Sequence, residues 1–170
     1  MSSIPNMALR GLEIFFGILV LGLSGHLVAS QAYGGAPSAT NYNVFLGIWL
    51  LVVAAVGLAA SFVSALGGVV MAALDALSVL FAFAGGVAYA AKLGAHSCSR
   101  ASYTAHNVIT NGGVDHAGNT APGVNLGNRC REAQADTAFI WFAEEGGEEL
   151  FAHGLSTAGS VTAPGGGISN

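Results

Sequence analysis

The sequence predicts an all-α integral membrane protein in which an irregular polar loop precedes the last helix. Composition is the first observation: 53% of the residues are apolar, only 8% are charged, and the mean hydropathy is +0.62. A soluble domain of 170 residues does not have such a composition. The second observation is the distribution of apolar and polar residues along the chain. Three long apolar stretches precede a polar loop with both cysteines and a segment with four glutamates. The bilayer is therefore the solvent for this fold.

Three stretches are long enough to cross a membrane as helices. A helix needs about 20 apolar residues to cross a hydrocarbon core of about 30 Å, and residues 9–30, 42–63 and 71–93 reach that length. The first stretch could also be read as a secretory signal peptide, but no cleavage site of small residues follows it promptly. The second and third stretches are joined by small, uncharged residues, which predicts a tight turn and an antiparallel hairpin.

The acidic and histidine residues inside these predicted spans are Glu13, His26 and Asp75. Burying one at the bilayer centre costs about 2.5 kcal/mol or more unless it finds a partner or water. Asp75 could belong to a proton or cation path, or it could be a structural residue bonded to Ser, Trp or His of a neighbouring helix. The structural interpretation is favoured, because no second carboxylate lies at helical spacing on the same helix. Glu13, beside Arg10 near a helix start, suits an interfacial position.

Residues 94–136 are polar and are predicted to form a loop outside the hydrocarbon. Cys98 and Cys130 both lie in it, which suggests a disulfide on the oxidising side of the membrane. The other four Lys and Arg residues flank or occupy this loop, and Arg10 alone marks the N-terminal side. By the positive-inside rule that distribution places the loop in the cytosol. The two arguments about sidedness disagree.

The loop also contains three histidines, His96, His106 and His116, so a zinc site has to be considered. Their spacing from the cysteines lacks the paired two-ligand turns of known zinc folds. We therefore predict no metal.

The segment after the loop is the most ambiguous part of the chain. A fourth span over residues 137–155 is put in question by four glutamates in its middle. These are Glu144, Glu145, Glu148 and Glu149. Facing lipid, four ionised carboxylates would cost on the order of 10 kcal/mol.

Three interpretations of this acidic segment stay open. The carboxylates could face a water-filled interior or an oligomer axis and attract cations. The helix could instead end at Gly146 and Gly147, which would leave the acidic residues at the interface. Lastly, the stretch could be an altered sequence without an evolved function. The second and third are favoured together, because adjacent glycines and closely spaced like charges disfavour a helix.

Motifs in the loop and its flanks resemble a known family. They comprise Ala-His-Ser-Cys at 95–98, Arg-Cys-Arg at 129–131 and Ala-Gln-Ala at 133–135. The residues outside the cysteines that carry the likeness are His96, Ser97, Tyr103, Arg129, Arg131 and Gln134. The third span adds a Leu-Asp pair at 74–75 and spaced phenylalanines. Together these features resemble the fungal MARVEL-domain proteins, and more narrowly their non-classical-export branch, which is associated with eisosomes.

The resemblance implies an integral membrane four-helix bundle with both termini in the cytosol and the loop outside. It also implies a disulfide between Cys98 and Cys130, and it overrules the charge count on sidedness. Such proteins are implied to concentrate in furrow-like plasma-membrane domains, to help assemble eisosomes and to respond to sphingolipid or sterol state. Neither catalytic residues nor a cofactor come with the resemblance. The sequence itself has no nucleophile beside a base and no phosphate-binding glycine loop.

The expected function is therefore a non-enzymatic membrane organiser built on residues 1–155, with a disordered tail over 156–170. An oligomeric cation channel or transport subunit is the alternative, and an accessory subunit of a larger membrane complex is a third. Expected partners are membrane lipids, with sphingolipid or sterol suspected, and other membrane proteins, and homo-oligomers stay open. Nucleic acid is excluded as a partner, because the net charge is -4 and no basic stripe exists.

Overall fold

The computed structural model describes residues 3–60 and 68–162, and most of this part of the chain is helical. The helices in chain order are α1 (Ser3–Ala29), α2 (Ser38–Ala60), α3 (Val69–Leu93), the short α4 (Ala101–His106) and α5 (Leu126–Thr162). The described residues outside them include an isolated antiparallel bridge between Val114 and Thr120. The all-α prediction is confirmed.

Three of these helices are long and apolar enough to cross a membrane. They are Asn6–Ala29 within α1, Ser38–Ala60 and Val69–Leu93, and they coincide with the three apolar stretches of the sequence. Helices α1 and α3 each pack against both α2 and α5. The predicted tight turn between α2 and α3 falls on residues 61–67, which lie outside the described residues.

Helix α5 begins earlier than the sequence suggested. The polar loop was expected to extend to residue 136, but the helix starts at Leu126. Its start is fixed by Asn125, whose side-chain oxygen accepts the backbone N–H of Asn128 at 3.0 Å. Asparagine at this position satisfies an amide that has no partner within the helix. The first turns of α5 are polar because their side chains bond to other helices, which a local reading of the sequence cannot show.

Helix α5 also continues past Gly146 and Gly147, so the interpretation that it ends at these glycines is wrong. The helix reaches Thr162, beyond residue 155, and residues 163–170 of the expected tail lie outside the described residues. Gly147 is buried, and an added Cβ there would lie 3.0 Å from the Val79 side chain on α3. Close packing between helices favours a small residue at such a contact.

The acidic residues lie towards one end of the bundle rather than in its middle. Helices α1 and α5 are antiparallel, because Arg129 near the start of α5 bonds to the Leu27 carbonyl near the end of α1. Further along α5, Phe142 stacks on Phe16 with ring centroids 5.8 Å apart. Glu145 then shares a groove with Glu13. The acidic residues are therefore level with the first turns of α1, at the end opposite the polar loop.

The bundle has an apolar core and an apolar exterior. Two clusters of buried side chains form the core, one around Val20, Leu46, Leu50 and Ile140, the other around Leu27, Tyr89 and Ile109. Glycines allow close approach of helices, since a Cβ added at Gly47 would lie 2.8 Å from Leu21. Large apolar side chains also point outwards from the three spanning helices: Phe15, Ile18, Phe45, Ile48, Leu80 and Phe83. Such an exterior suits a lipid solvent.

Candidate functional site

A buried ion cluster joins α1 to α3 at the end of the bundle opposite the loop. Arg10 donates two bonds to Asp75, at 2.7 and 2.8 Å, and one to Glu13 at 2.8 Å. All three residues are at most 4% exposed. A guanidinium that meets a carboxylate through two parallel bonds is the strongest geometry available to such a pair. The cluster therefore fixes the rotation of α1 relative to α3.

This cluster corrects the expected partners of Asp75 and gives Glu13 a partner inside the bundle. Asp75 was expected to bond to Ser, Trp or His, but its partner is Arg10. The Trp49 indole donates instead to Ser78, one turn along α3, at 3.0 Å. Glu13 is buried beside Arg10, one turn away on the same face of α1.

Helix α2 leaves room for the guanidinium with a glycine. Gly57 is buried, and a Cβ added there would overlap the Arg10 side chain. With a side chain at this position, the guanidinium of Arg10 would have to shift from its place beside Asp75.

An acid-lined groove of about 440 Å³ runs between α1 and α5 beside this cluster. Its carboxylates come from Glu13, Glu145, Glu148 and Glu149. Glu144 is half-buried and does not line the groove. The aromatic rings of Phe16 and Phe142 also line the groove. The acidic residues thus face a groove on the side of the bundle.

A second set of buried polar residues lies nearer the loop and was missed by sequence reasoning. Asp136 accepts a bond from Ser24 at 2.7 Å and one from Asn43 at 3.1 Å, so α1, α2 and α5 meet at one carboxylate. All three residues are at most 1% exposed. Asp136 stood at the end of the expected loop, and the one available signal was that a carboxylate preceded an apolar run. On the loop side of this layer, His26 pairs with Glu132 at 2.9 Å, and its side chain is 62% exposed.

Arg129 anchors the start of α5 to the end of α1. It donates to the carbonyls of Leu27 and Ile109 at 3.1 and 3.4 Å, and also to the side chains of Ser30 and Gln31. Arg129 is 3% exposed. Arg131, the other arginine of the motif, is exposed.

The cysteine loop is tied to the bundle by several contacts. Cys98 and Cys130 are joined by a disulfide, with their Cα atoms 5.6 Å apart. Tyr103 packs on the His96 ring with centroids 4.7 Å apart and donates its hydroxyl to the Leu93 carbonyl. Gln134 donates to the His96 carbonyl at 3.2 Å. The motif residues of the loop therefore act on loop conformation.

One residue of the expected site set contributes little to these contacts. Ser97 bonds to Ser99 at 2.8 Å within an exposed turn. Within the described chain, no three His, Cys, Asp or Glu side chains are placed to hold a metal ion.

Comparison with known proteins adds to this geometry. Residues 3–143 match the MARVEL family, described as a membrane-associating domain. The chain belongs to the MARVEL family. The match covers α1 to α3, the loop and the first half of α5, so it includes both buried arginines, Arg10 and Arg129. The protein is thus an integral membrane protein of this family, as the resemblance of its motifs indicated.

Two fungal relatives share most of the chain. Non-classical export protein 2 of Saccharomyces cerevisiae is 30% identical over 145 residues, which is 84% of this chain and 75% of that protein. The non-classical export protein 2 homolog of Schizosaccharomyces pombe is 26% identical over 135 residues, or 78% of this chain and 67% of that protein. No solved structure matches the chain significantly.

Proposed function

We propose that this MARVEL protein is a non-enzymatic organiser of plasma-membrane domains of the eisosome type. It acts through lateral contacts with lipids and other membrane proteins, and it responds to sphingolipid or sterol state, as the family resemblance implies. Both relatives are named for non-classical export. If this protein also takes part in export, we propose that this role follows from its organisation of the membrane.

The observation that carries this proposal is the contrast between interior and exterior. The intramembrane charges of Arg10, Glu13 and Asp75 are bonded to one another inside the bundle. The outward faces carry large apolar side chains on all three spanning helices. Internal ion pairs fix the helices, and the apolar exterior is then available for lateral contacts.

The cation-channel alternative rests on the acid-lined groove. Its carboxylates could collect cations at one end of the bundle. A path across the membrane would also need Asp75, but that carboxylate is held by Arg10 through two bonds. The organising function therefore explains more of the structure than the channel does.

The proposal includes a topology in which α5 crosses the membrane. The N-terminus and the acidic end of the bundle lie in the cytosol, and the loop with Cys98 and Cys130 lies outside. In that position the disulfide is on the oxidising side. Arg129 and Asp136 are then buried against α1 and α2 rather than exposed to lipid.

The experiment replaces the acidic patch and measures both functions on the same variants. All four glutamates of the acidic segment, Glu144, Glu145, Glu148 and Glu149, are changed to glutamine, and Arg131→Gln serves as a charge change on an exposed part of α5. The organiser predicts that clustering of the tagged protein in the plasma membrane is unchanged and that reconstituted vesicles show no cation flux. Cation flux that depends on the glutamates, or uniform distribution of the wild-type protein in the membrane, would refute the proposal.

A further inference from the structure

The buried carboxyl group of Asp136 has no cation bonded to it. Its bonds come from the hydroxyl of Ser24 at 2.7 Å and the side-chain amide of Asn43 at 3.1 Å, and both go to the same oxygen, Oδ2. None of the ion pairs in the described part of the chain includes Asp136. The other buried aspartate, Asp75, is bonded through both of its oxygens to Arg10. The two buried aspartates therefore differ in how a negative charge on them would be met.

Two oxygen atoms at this junction lack a hydrogen-bond donor. The Oδ1 atoms of Asp136 and Asn43 are both buried, and neither has a hydrogen-bond partner among the described residues. The two residues are at most 1% exposed. A buried acceptor without a donor is costly, because it has given up water without gaining another bond. Two such atoms on groups that are already bonded to each other indicate that one donor is shared between them.

The charged groups of the neighbouring helices do not supply a counter-ion. Arg129 lies two turns earlier on α5, about 10 Å along the helix, and is bonded to carbonyl and neutral side-chain oxygens. Glu132, one turn before Asp136, has the same sign of charge and is paired with His26 of α1. From α3, Tyr89 contributes a phenol within electrostatic range of Asp136, and α2 has no acidic, basic or histidine residue. An ionised carboxylate at 136 would stay uncompensated.

A single proton satisfies both oxygens and removes the charge. On Oδ1 of Asp136 the proton turns this atom into a donor, and Oδ1 of Asn43 is the acceptor that needs one. A neutral carboxylic acid and a primary amide then pair through two bonds, in which each group donates one and accepts one. The bond from the Asn43 amide at 3.1 Å is already the first of the two. The junction is then left without an ionised group in the interior of the bundle.

We propose that Asp136 is a proton-binding site, and that as a neutral carboxylic acid it joins α1, α2 and α5. Ser24 and Asn43 donate to its Oδ2, and its own O–H donates to Oδ1 of Asn43. A proton is the ligand because the two free oxygens are enclosed, which excludes a larger group. Release of this proton would leave an anion between three helices and would weaken their packing. The inference does not depend on the proposed function.

The proton is detected by its effect on the carboxyl carbon. The chain contains three aspartates, Asp75, Asp115 and Asp136. The protein is synthesised in a cell-free system with aspartate labelled with ¹³C at the carboxyl carbon, and carbon NMR spectra are recorded in maltoside micelles at pH 6. At this pH an ordinary aspartate is about 99% ionised. We expect one signal at the position of a neutral acid and two at the position of a carboxylate.

Asp136→Asn assigns the neutral signal and keeps the junction. An amide at this position offers the same donor and the same acceptor as a neutral acid. We expect the neutral-acid signal to disappear and the midpoint of thermal unfolding to stay within about 2 °C of the wild type. Asp75→Asn is the matched control, since it makes the same change in a buried aspartate that has a cation. It should keep the neutral-acid signal and unfold at a lower temperature, because its amide N–H groups face the guanidinium of Arg10.

The wild-type spectrum alone can overturn the proposal. Three carboxylate signals at pH 6 would show that Asp136 is ionised, whatever the variants do. A neutral-acid signal that persists in Asp136→Asn would place the proton on another aspartate and would also overturn it. A fall in the unfolding midpoint of Asp136→Asn as large as that of Asp75→Asn would mean that the junction needs the charge, which contradicts a neutral acid.

Discussion

The two ends of the bundle bury their arginines in different ways. Arg10, at the acidic end, is 2% exposed and is bonded to two carboxylates. Arg129, at the loop end, is 3% exposed and is bonded to carbonyls and neutral side chains. The Leu27 carbonyl that it meets belongs to the last turn of α1, where the helix dipole favours a cation. One end is held by ion pairs and the other by a helix end and a disulfide.

The largest effect is expected from breaking the ion cluster at the acidic end. Arg10→Met leaves the carboxylates of Glu13 and Asp75 buried without a cation. We expect the free energy of unfolding to fall by about 3–5 kcal/mol, which is typical when one partner of a buried pair is removed. Denaturant unfolding in detergent micelles measures the loss.

A neutral triple variant is the control for that prediction. Arg10→Met combined with Glu13→Gln and Asp75→Asn removes all three charges together. Because no uncompensated charge is left, it should recover more than half of the stability lost in Arg10→Met. If the single variant is no less stable than the triple variant, the ion cluster is not what holds this end.

The next largest effect concerns the loop end of the bundle. Replacing both Cys98 and Cys130 by serine removes a link across 32 residues of sequence. On the chain-entropy estimate this costs about 3–4 kcal/mol. Limited proteolysis should show earlier cleavage between α3 and α5, while peptides around Arg10 and Asp75 stay protected. Equal loss of protection at both ends would mean that the bundle unfolds as one unit and that the two ends are not independent.

A smaller effect tests the space left for Arg10. Gly57→Ala places a methyl group where the Arg10 side chain lies. The guanidinium must then shift, and we expect a loss of about 1–3 kcal/mol, as for other overpacked interiors. Gly22→Ala on α1 is the matched control, since nothing lies within 4 Å of a Cβ there. An equal loss of stability in both variants would contradict the prediction that residue 57 limits the space for Arg10.

The smallest effect concerns a turn in the loop. Backbone N–H donation from Asn119, and then from Ala117, lowers the pKa of Asp115 below its ordinary value. The turn is therefore stabilised at pH values above about 3.9, the ordinary pKa of Asp. That stability is lost as the pH falls through the lowered pKa. Amide hydrogen exchange at 117 and 119 should accelerate in acid beyond the intrinsic rate, and Asp115→Asn should abolish this pH dependence. The same acid response in Asp115→Asn would contradict the assignment.

The spanning helices could be predicted from the sequence, but the extent of α5 could not. An apolar run of about 20 residues has few alternatives to a membrane helix. The first turns of α5 contain Arg129 and Asp136, which read locally as loop. Their partners, Leu27 and Ser24, are more than 100 residues away in sequence. Only the tertiary arrangement shows that these polar side chains face other helices.

The ion cluster was within reach of sequence reasoning and was still missed. Arg10 is the only Lys or Arg before Lys92 in the sequence. It was therefore the one such cation on α1 or α2 that a buried Asp75 could meet. No pattern within one helix indicates the pair, because Arg10 and Asp75 are 65 residues apart in sequence. The glutamates would lie in the middle of a span over residues 137–155, but α5 begins at Leu126, which moves them towards one end of the bundle.

The sidedness of α5 tests the account most directly. Single cysteines are placed at the two ends by Glu145→Cys and His116→Cys, both at exposed positions, while the native cysteines stay bonded to each other. Sealed vesicles of known orientation are treated with a membrane-impermeant thiol reagent. We predict that position 116 reacts from the outside and position 145 only after the membrane is opened. Reaction of both positions from the same side would mean that α5 does not cross, and would contradict the account.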